Sequence, residues 1–389
     1  MTDPVWTFGT HGQLRQTLVW LTDVQQFTSG HEQRRRLRIA PRQKLGFSVL
    51  PDPDHRRYLE TLLWRQGAAQ WDFPLVMYPL QLQAELSAGA VSIPVFAPSP
   101  AFVAGGRALL VGLDPTVAEV VVIDSVGAAL ELVAPTALEW PAGTELYALR
   151  RGRFPAVPRV PRFTGDASLV EVEAELAEAV DYAESPGAIT YRDLPVLELT
   201  PGWTADPAHQ AARETEILDE GCGPVVVEDL PGLALPVQSS ALGIQGREAI
   251  DGFLELLHWL AGRWRALWMP TYAQDLRVTA PIASGATTID VAWCGLTANP
   301  GSINRRDIRI ELSDGTVLYR RITATSELST LVERLTIDSA LGVAVAVADV
   351  ALVSFLWLAR LDQDVVVLDW WAHDTVTCSL NWKGFRHEF

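Results

Sequence analysis

The chain has 389 residues, with 48% hydrophobic and 20% charged residues; that length suits two or three domains of about 100–200 residues, and that profile excludes a disordered chain. No apolar run reaches the ~18 residues of a membrane-spanning helix, and the opening MTDPVWTFGTHGQ has neither the basic region nor the apolar core of a secretory signal, so neither is expected. A net charge of −16 argues against binding free nucleic acid, whose phosphates require a positive surface, and is compatible with DNA in transit past an acidic wall.

Residues 17–21 predict a strand, Thr28-Ser29-Gly30 a turn, and residues 34–50 a second strand in which Leu37, Ile39, Leu45, Phe47 and Val49 alternate with polar or small neighbours. Pro41 predicts an edge strand or a bend there. Tyr58, Leu59, Leu62 and Leu63 recur at 3–4 spacing, which predicts a helix over 55–72 capped by Asp54 and ended by Gly67. From 84 to 150, short apolar runs between Gly, Pro and Asp predict a small barrel or sandwich. FPAVPRVPR (154–162) reads as a stiff, extended connector. Residues 168–182 set Val170, Val172 and Ala174 against Glu171, Glu173 and Glu175, a half-exposed strand, with a helix open from Glu173 onward. Residues 189–200 and 223–237 predict strands, 247–265 a second helix with His258 packed in its apolar pattern, 274–359 a second small β unit, and 364–385 two closing strands.

This order is given twice. LSAGAVSIPV (86–95) aligns with IASGATTIDV (282–291), and each follows a Trp-containing helical pattern, so Gly89 and Gly285 stand 196 positions apart. A repeat that long is a duplicated domain, not a solenoid. The expected fold is mainly β (α+β): two duplicated tube-like β-sandwich modules, each with one helix and a small barrel-like β domain. The expected boundaries are 1–83 and 84–152 for the first module and its small domain, 153–272 and 273–357 for the second, and 358–389 for strands completing the second.

No catalytic motif is present: no GxSxG, no phosphate-binding lysine loop, no HExxH and no dinucleotide-binding glycine triplet. His209 and His258 would need the fold to bring them together, and His373-Asp374 has no nucleophile motif beside it. The carboxylate pairs Asp362/Asp364 and Glu171/Glu173 read as solvated faces. Cys222, Cys294 and Cys378 form no CxxC pair and read as reduced thiols, a three-cysteine metal site being open only through assembly by the fold. No catalytic residue, cofactor or metal is therefore expected. The 14 tryptophans read as core and interface anchors, with sugar binding as the functional alternative.

One concentration of positive charge stands out: Arg34, Arg35, Arg36, Arg38 and Arg42, with Lys44. On a strand of an acidic chain it reads as a subunit-contact stripe meeting an acidic strand of the next copy, with Glu171, Glu173 and Glu175 in the acidic segment 170–184 as its complement. A plain solvated face and a DNA- or lumen-facing patch are the other readings.

LVWLTDVQQFTSGHEQRRRLRIAPRQKLGFSV (18–49) resembles the N-terminal region of tail-tip proteins, the distal tail and baseplate hub group, of long non-contractile-tailed bacteriophages. So do LLWRQGAAQWDFPLVMYP (62–79), AGAVSIPV with GGRALLV (88–111) and LARLDQDVVVLDWWAHDTVTCSLNW (358–382). The resemblance implies a structural, non-enzymatic virion protein of the tail, assembled in the host cytoplasm. It would form a homo-oligomeric ring around the DNA channel and join the tail tube to baseplate or fibre proteins. The implied partners are tube, tape measure and central-fibre proteins, with DNA only in transit and no membrane. Three copies of a two-module chain would present six similar modules, so a pseudo-six-fold trimer is favoured over a hexamer. A receptor- or carbohydrate-binding tail module is the alternative function, and a cell-wall hydrolase a third. One departure from a simple repeat is that the second copy's counterpart of the arginine strand, around 210–228, is acidic.

Overall fold

A computed structural model describes residues 4–95, 99–178, 182–202, 208–300 and 303–387. Strand β1 (His11–Val19) buries Leu14, Gln16 and Leu18, and β4 (Arg42–Val49) buries Gln43, Leu45, Phe47 and Val49, with their alternate residues outward. Between them projects a hairpin of β2 (Thr22–Gln26) and β3 (Glu32–Arg36), turning at Gly30 with φ +83°. The expected arginine strand therefore breaks in two: β3 ends at Arg36, Pro41 marks the bend, and Leu37 and Ile39 lie 50% and 87% exposed rather than in a core.

Helix α1 (Pro53–Gln66) begins earlier and ends sooner than its periodicity predicts. Asp52, not Asp54, is the cap: its Oδ1 accepts from the Asp54 and His55 amides at 3.0 and 2.9 Å, and Pro53 starts the first turn. Gly67 ends the helix where a Cβ would stand 2.6 Å from the Leu63 carbonyl and 3.1 Å from Val157. Trp71 consequently belongs to the next strand, β5 (Trp71–Pro74), buried along its whole length. The short strands β6 (Leu80–Gln81), β7 (Ser92–Pro94), β8 (Arg107–Val111), β9 (Ala118–Val126) and β10 (Ala129–Leu132) lead to the long β11 (Glu145–Arg153). Residues 154–162 carry no strand, bend at 155–156, and lead to β12 (Val170–Leu176). The alternation of β12 is that of a strand, which removes the helical option at Glu173.

In the second half the 189–200 segment reduces to a minimal hairpin, β13 (Thr190–Tyr191) and β14 (Leu194–Pro195). Then come β15 (His209–Ala212), the hairpin β16 (Thr215–Leu218) and β17 (Val226–Asp229), and β18 (Leu235–Gln245). Helix α2 (Arg247–Leu260) buries Ile250, Phe253, Leu254, Leu257 and Leu260 and stops at Ala261, which takes a left-handed φ of 51°. Strand β19 (Leu267–Pro270) follows, buried along its whole length, and holds Trp268. The second small unit contains β20 (Thr288–Ala292), β21 (Asp307–Leu312), β22 (Val317–Ser329) and β23 (Val332–Ile337). The long β24 (Val350–Leu361), then β25 (Val365–Ala372) and β26 (Thr375–Gly384), close the chain.

The chain is thus mainly β: 45% strand, two helices, one large antiparallel sheet and small hairpins. Seven strands form its frame in the order β15–β18–β26–β25–β1–β4–β12, every pair antiparallel. The two halves meet where β1 pairs with β25 over Leu14↔Trp370 to Val19↔Val365. One face of this frame is largely apolar; among its buried polar groups, Gln16 Nε2 donates to Gln43 Oε1 and Trp370 Nε1 donates to Gln16 Oε1, both at 3.1 Å.

Certain pairings recur. β4 is followed by α1 and β5, β5 pairs with β11, and the end of β11 pairs with β12 at Gly152↔Leu176 and Arg153↔Glu175. β18 is followed by α2 and β19, β19 pairs with β24, and the end of β24 pairs with β26 at Ala359↔Gly384 and Arg360↔Lys383. In the small units, β10 lies between β7 and β9, and β23 between β20 and β22. Leu86 bridges Trp140, and Ile282 bridges Val345.

The cores are less alike. Trp6, Phe47, Trp71, Phe73 and Phe154 form an aromatic knot at ring separations of 5.2–6.4 Å. It belongs to one apolar cluster that also takes in the first small unit (Ile93, Ile123, Leu130) and the α2 side of the second half (Phe253, Leu257, Leu380). The second small unit encloses a separate core of Ile289, Ile308, Ile310, Leu335 and Phe355.

Candidate functional site

The arginine hairpin β2–β3 is seated on the second half of its own chain. Glu32, at its tip, accepts two bonds from Arg360, Nε to Oε2 and Nη2 to Oε1, both at 2.7 Å, with side chains only 1% and 3% exposed. The Arg34 guanidinium lies 4.4 Å over the Phe385 ring, where burial pulls its pKa down and Glu32 opposes that pull. Lys383 Nζ donates to Gln26 Oε1 at 3.1 Å, and the Arg386 amide donates to the Gly30 carbonyl at 2.9 Å.

Two residues on, the same strand meets the acidic segment. Arg36 Nη1 reaches Glu184 at 2.8 Å, Arg265 Nη1 reaches it at 3.0 Å, and both guanidinium groups stack on Trp264, at 5.3 and 4.4 Å. Burial works to raise the Glu184 carboxyl, but the two arginines outweigh it and hold it below the usual range. Arg38 Nη1 donates to the Val19 carbonyl at 2.7 Å. The unlike-charge match expected between copies is thus made in part within the chain. Arg35 and Arg42 are the members of the cluster that lie exposed.

The carboxylates of β12 fall on the outward face of the frame, opposite β4 at Glu171↔Ser48, Glu173↔Gly46 and Glu175↔Lys44. Lys44 Nζ bridges Glu173 at 3.3 Å and Glu175 at 3.1 Å, and Arg153 Nη2 reaches Glu175 at 2.7 Å. The hydrogen bond from Lys44 is the chief reason the Glu175 carboxyl lies below its usual range. Glu171 stays exposed. Arg15 pairs with Asp369 at 3.0 Å in the neighbouring rows, so the outward face alternates in sign instead of forming an acidic wall.

That face runs unbroken across the junction of the halves, from Ser239, Ala241 and Gly243 on β18 through Thr377, Ser379 and Asn381 on β26 to Thr17 and Lys44. Beside the proline connector it opens into a groove of about 1070 Å³ lined by Arg15, Lys44, Ser48, Glu171, Glu173 and residues 155–159.

The remaining candidates disperse. His209 contacts Gln238 at 3.3 Å and Trp357, whereas His258 sits edge-on to Trp20 at 5.9 Å and close to Tyr182. His373, exposed, and Asp374, half-buried, form the turn between β25 and β26. Cys222 and Cys294 are exposed, Cys378 is buried, and all three are free. Among the described residues no group of three or more His, Cys, Asp or Glu is placed to hold a metal ion. Trp6, Trp20, Trp71, Trp268, Trp357 and Trp382 are fully buried, whereas Trp64, Trp293 and Trp371 are exposed.

Sequence reasoning missed Asp364, which it read as solvated. Its carboxylate accepts from the Thr22 amide at 2.8 Å and the Arg263 amide at 2.9 Å, joining the base of the hairpin to the end of α2. It also missed Glu32, whose partner lies 328 positions away. Neither carries a local signal, because both partnerships exist only after the halves have met.

No family model matches the chain, and no curated protein matches it.

Proposed function

We propose that this chain is a structural ring component of a bacteriophage tail tip, built from two related modules, with the DNA channel at its centre. In this reading it joins the tail tube to baseplate or fibre proteins and carries out no chemistry of its own. The observation that carries the reading is the seven-strand frame: it spans both halves, buries one face with its helices, and leaves the other face polar and open. A lumen wall has that construction, with a hydrated surface towards the channel and an apolar surface towards the body. The balanced charges of the face let a duplex pass without being held, since neither sign forms a continuous field.

The recurrence of pairings supports the duplication. β5–β11–β12 and β19–β24–β26 join in the same way, and the bridges at Leu86 and Ile282 fall 196 positions apart, the spacing of the sequence repeat. Two modules per chain favour three chains in a ring with six similar stations, which can dock on a six-fold tube.

Mass photometry of the purified protein tests this reading, with two-dimensional class averages of the same sample. The expected particle is an annulus of three 42.7 kDa chains, about 128 kDa. A monomer at every concentration, without a central hole, overturns it, and a six-chain annulus replaces the trimer with a hexamer.

A further inference from the structure

The hairpin β16–β17 holds, in the second half, the place that β2–β3 holds in the first. Each projects between two frame strands, and each ends six positions before the next strand begins, Arg36 to Arg42 and Asp229 to Leu235. The first hairpin is seated on the β24–β26 joint through Arg360, Lys383 and Phe385. The second is not seated in this way. Its strand residues are exposed on both faces apart from the half-buried Asp229, including the cross-strand pair Ile217 and Val227, 63% and 60% exposed, and Leu218, Val225 and Val226 beside them. Isolated surface aliphatics are ordinary, but here each face of one two-stranded ribbon carries an exposed cross-strand pair, Ile217 with Val227 and Leu218 with Val226.

Among the described residues the chain also carries a counterpart of the seat that no hairpin covers. The joint of β24 with β26 at Arg360↔Lys383 corresponds to the joint of β11 with β12 at Arg153↔Glu175, because Leu267↔Ala359 and Trp71↔Gly152 precede them in the same register. Arg360 is covered by Glu32, whereas Arg153 is 66% exposed. Charge supports the match. Residues 214–229 contain Glu214, Glu216, Asp219, Glu220, Glu228 and Asp229 and no Lys or Arg, with Asp229 paired to Arg213 and Glu214 held by Gln26 at the base; on the other side Arg153 is exposed although bonded to Glu175, and Arg159 lies exposed six positions further along the chain. Both surfaces are open in one chain, so the hairpin does not fill its own chain's seat.

We propose that the β16–β17 hairpin docks on the β11–β12 joint of a second copy of this chain, repeating between copies the contact that β2–β3 makes on β24–β26 within one. The contact is head-to-tail: each copy offers one hairpin and one seat, and such a contact closes into a ring when the rotation per chain divides a full turn. This inference rests on the ring reading above and names the surface that makes the ring.

The test uses the full-length protein and two variants. Ile217→Asp/Val227→Asp breaks the hairpin, and Arg153→Glu breaks the seat. Wild type is expected to give three-chain particles by mass photometry, and each variant alone to give single chains with an unchanged circular dichroism spectrum. Mixed in equal amounts, the variants retain one intact joint, between the seat of the first and the hairpin of the second, and are expected to give two-chain particles. Three-chain rings from either variant overturn the docking and leave the ring reading standing. So does the lack of two-chain particles in a mixture of folded, monomeric variants. Single chains from wild type at every concentration overturn the ring reading and the docking with it.

Discussion

Glu32 and Arg360 are 328 positions apart in sequence and form a two-bond ion pair that is closed to solvent on both sides. The pair fixes the first hairpin to the far end of the chain. A buried pair is costly to break from one side, because the remaining charge stays in the interior unmatched. Arg360→Met is therefore expected to lower unfolding free energy by about 3–5 kcal/mol. Removing both charges with Glu32→Leu/Arg360→Met is expected to cost less than the single change. Urea denaturation of the three proteins measures this, and an Arg360→Met variant within experimental error of wild type would refute it.

The arginines of the hairpin are expected to differ in their effects. Arg35→Glu, at an exposed site, is expected to change stability by no more than about 0.5 kcal/mol. Arg34→Glu places an acid beside Glu32 and removes the stack on Phe385, and Arg36→Glu faces Glu184, so both are expected to destabilise. Amide exchange over residues 22–36 reads the undocking directly. Equal effects at all three positions would contradict the seating described.

These arginines also show where sequence reading stops. The alternation in β4 and β12, the two helices and the small β units follow from local periodicity, and were legible because each pattern needs only neighbours. The arginine run was read as one strand facing another copy, since Leu37 and Ile39 continue its alternation. In the structure that alternation covers no core, and Arg34 and Arg36 turn to partners supplied by residues 184, 264 and 385. A charge pattern states what a surface can pair with but not which surface reaches it first. The reading of Asp54 as the cap failed for a simpler reason: Asp52 followed by Pro53 supplies both an acceptor and a preset first turn.

His387 contributes to the loss of stability in acid. Burial beside Trp268, reinforced by Arg306, pushes its pKa down from 6.5 to about 4. Because the folded value lies below the unfolded one, its contribution is complete above pH 6.5 and lost as pH falls through 4. The size is about 3 kcal/mol as an order of magnitude. His387→Phe is expected to flatten the decline of melting temperature between pH 7 and 4, and an unchanged slope would show that other groups dominate it.

The three thiols are expected to react in order. Burial pushes Cys378 up to about 12, so it stays protonated and shielded at neutral pH. Cys294 is raised by burial and by Glu333, and Cys222 lies exposed in the loop of the second hairpin. Native alkylation followed by mass spectrometry is expected to modify Cys222 first, Cys294 more slowly and Cys378 only on unfolding. Early loss of Cys378 would place β26 differently.

One face of strand β24 passes through two interiors: Val353 and Phe355 belong to the enclosed core of the second small unit, and Trp357, Ala359 and Leu361 to the main one. On its other face Leu356 and Leu358 pack with Trp268 and Phe385, and Arg360 follows them, holding Glu32. Close-packed interiors resist compression and hand displacement on. The outer unit is therefore mounted on a lever, and a pull on it arrives at the clasp between the two ends of the polypeptide. The first small unit is merged into the main interior and has no such arm, so a pull on it is spread over that interior instead of running along one strand.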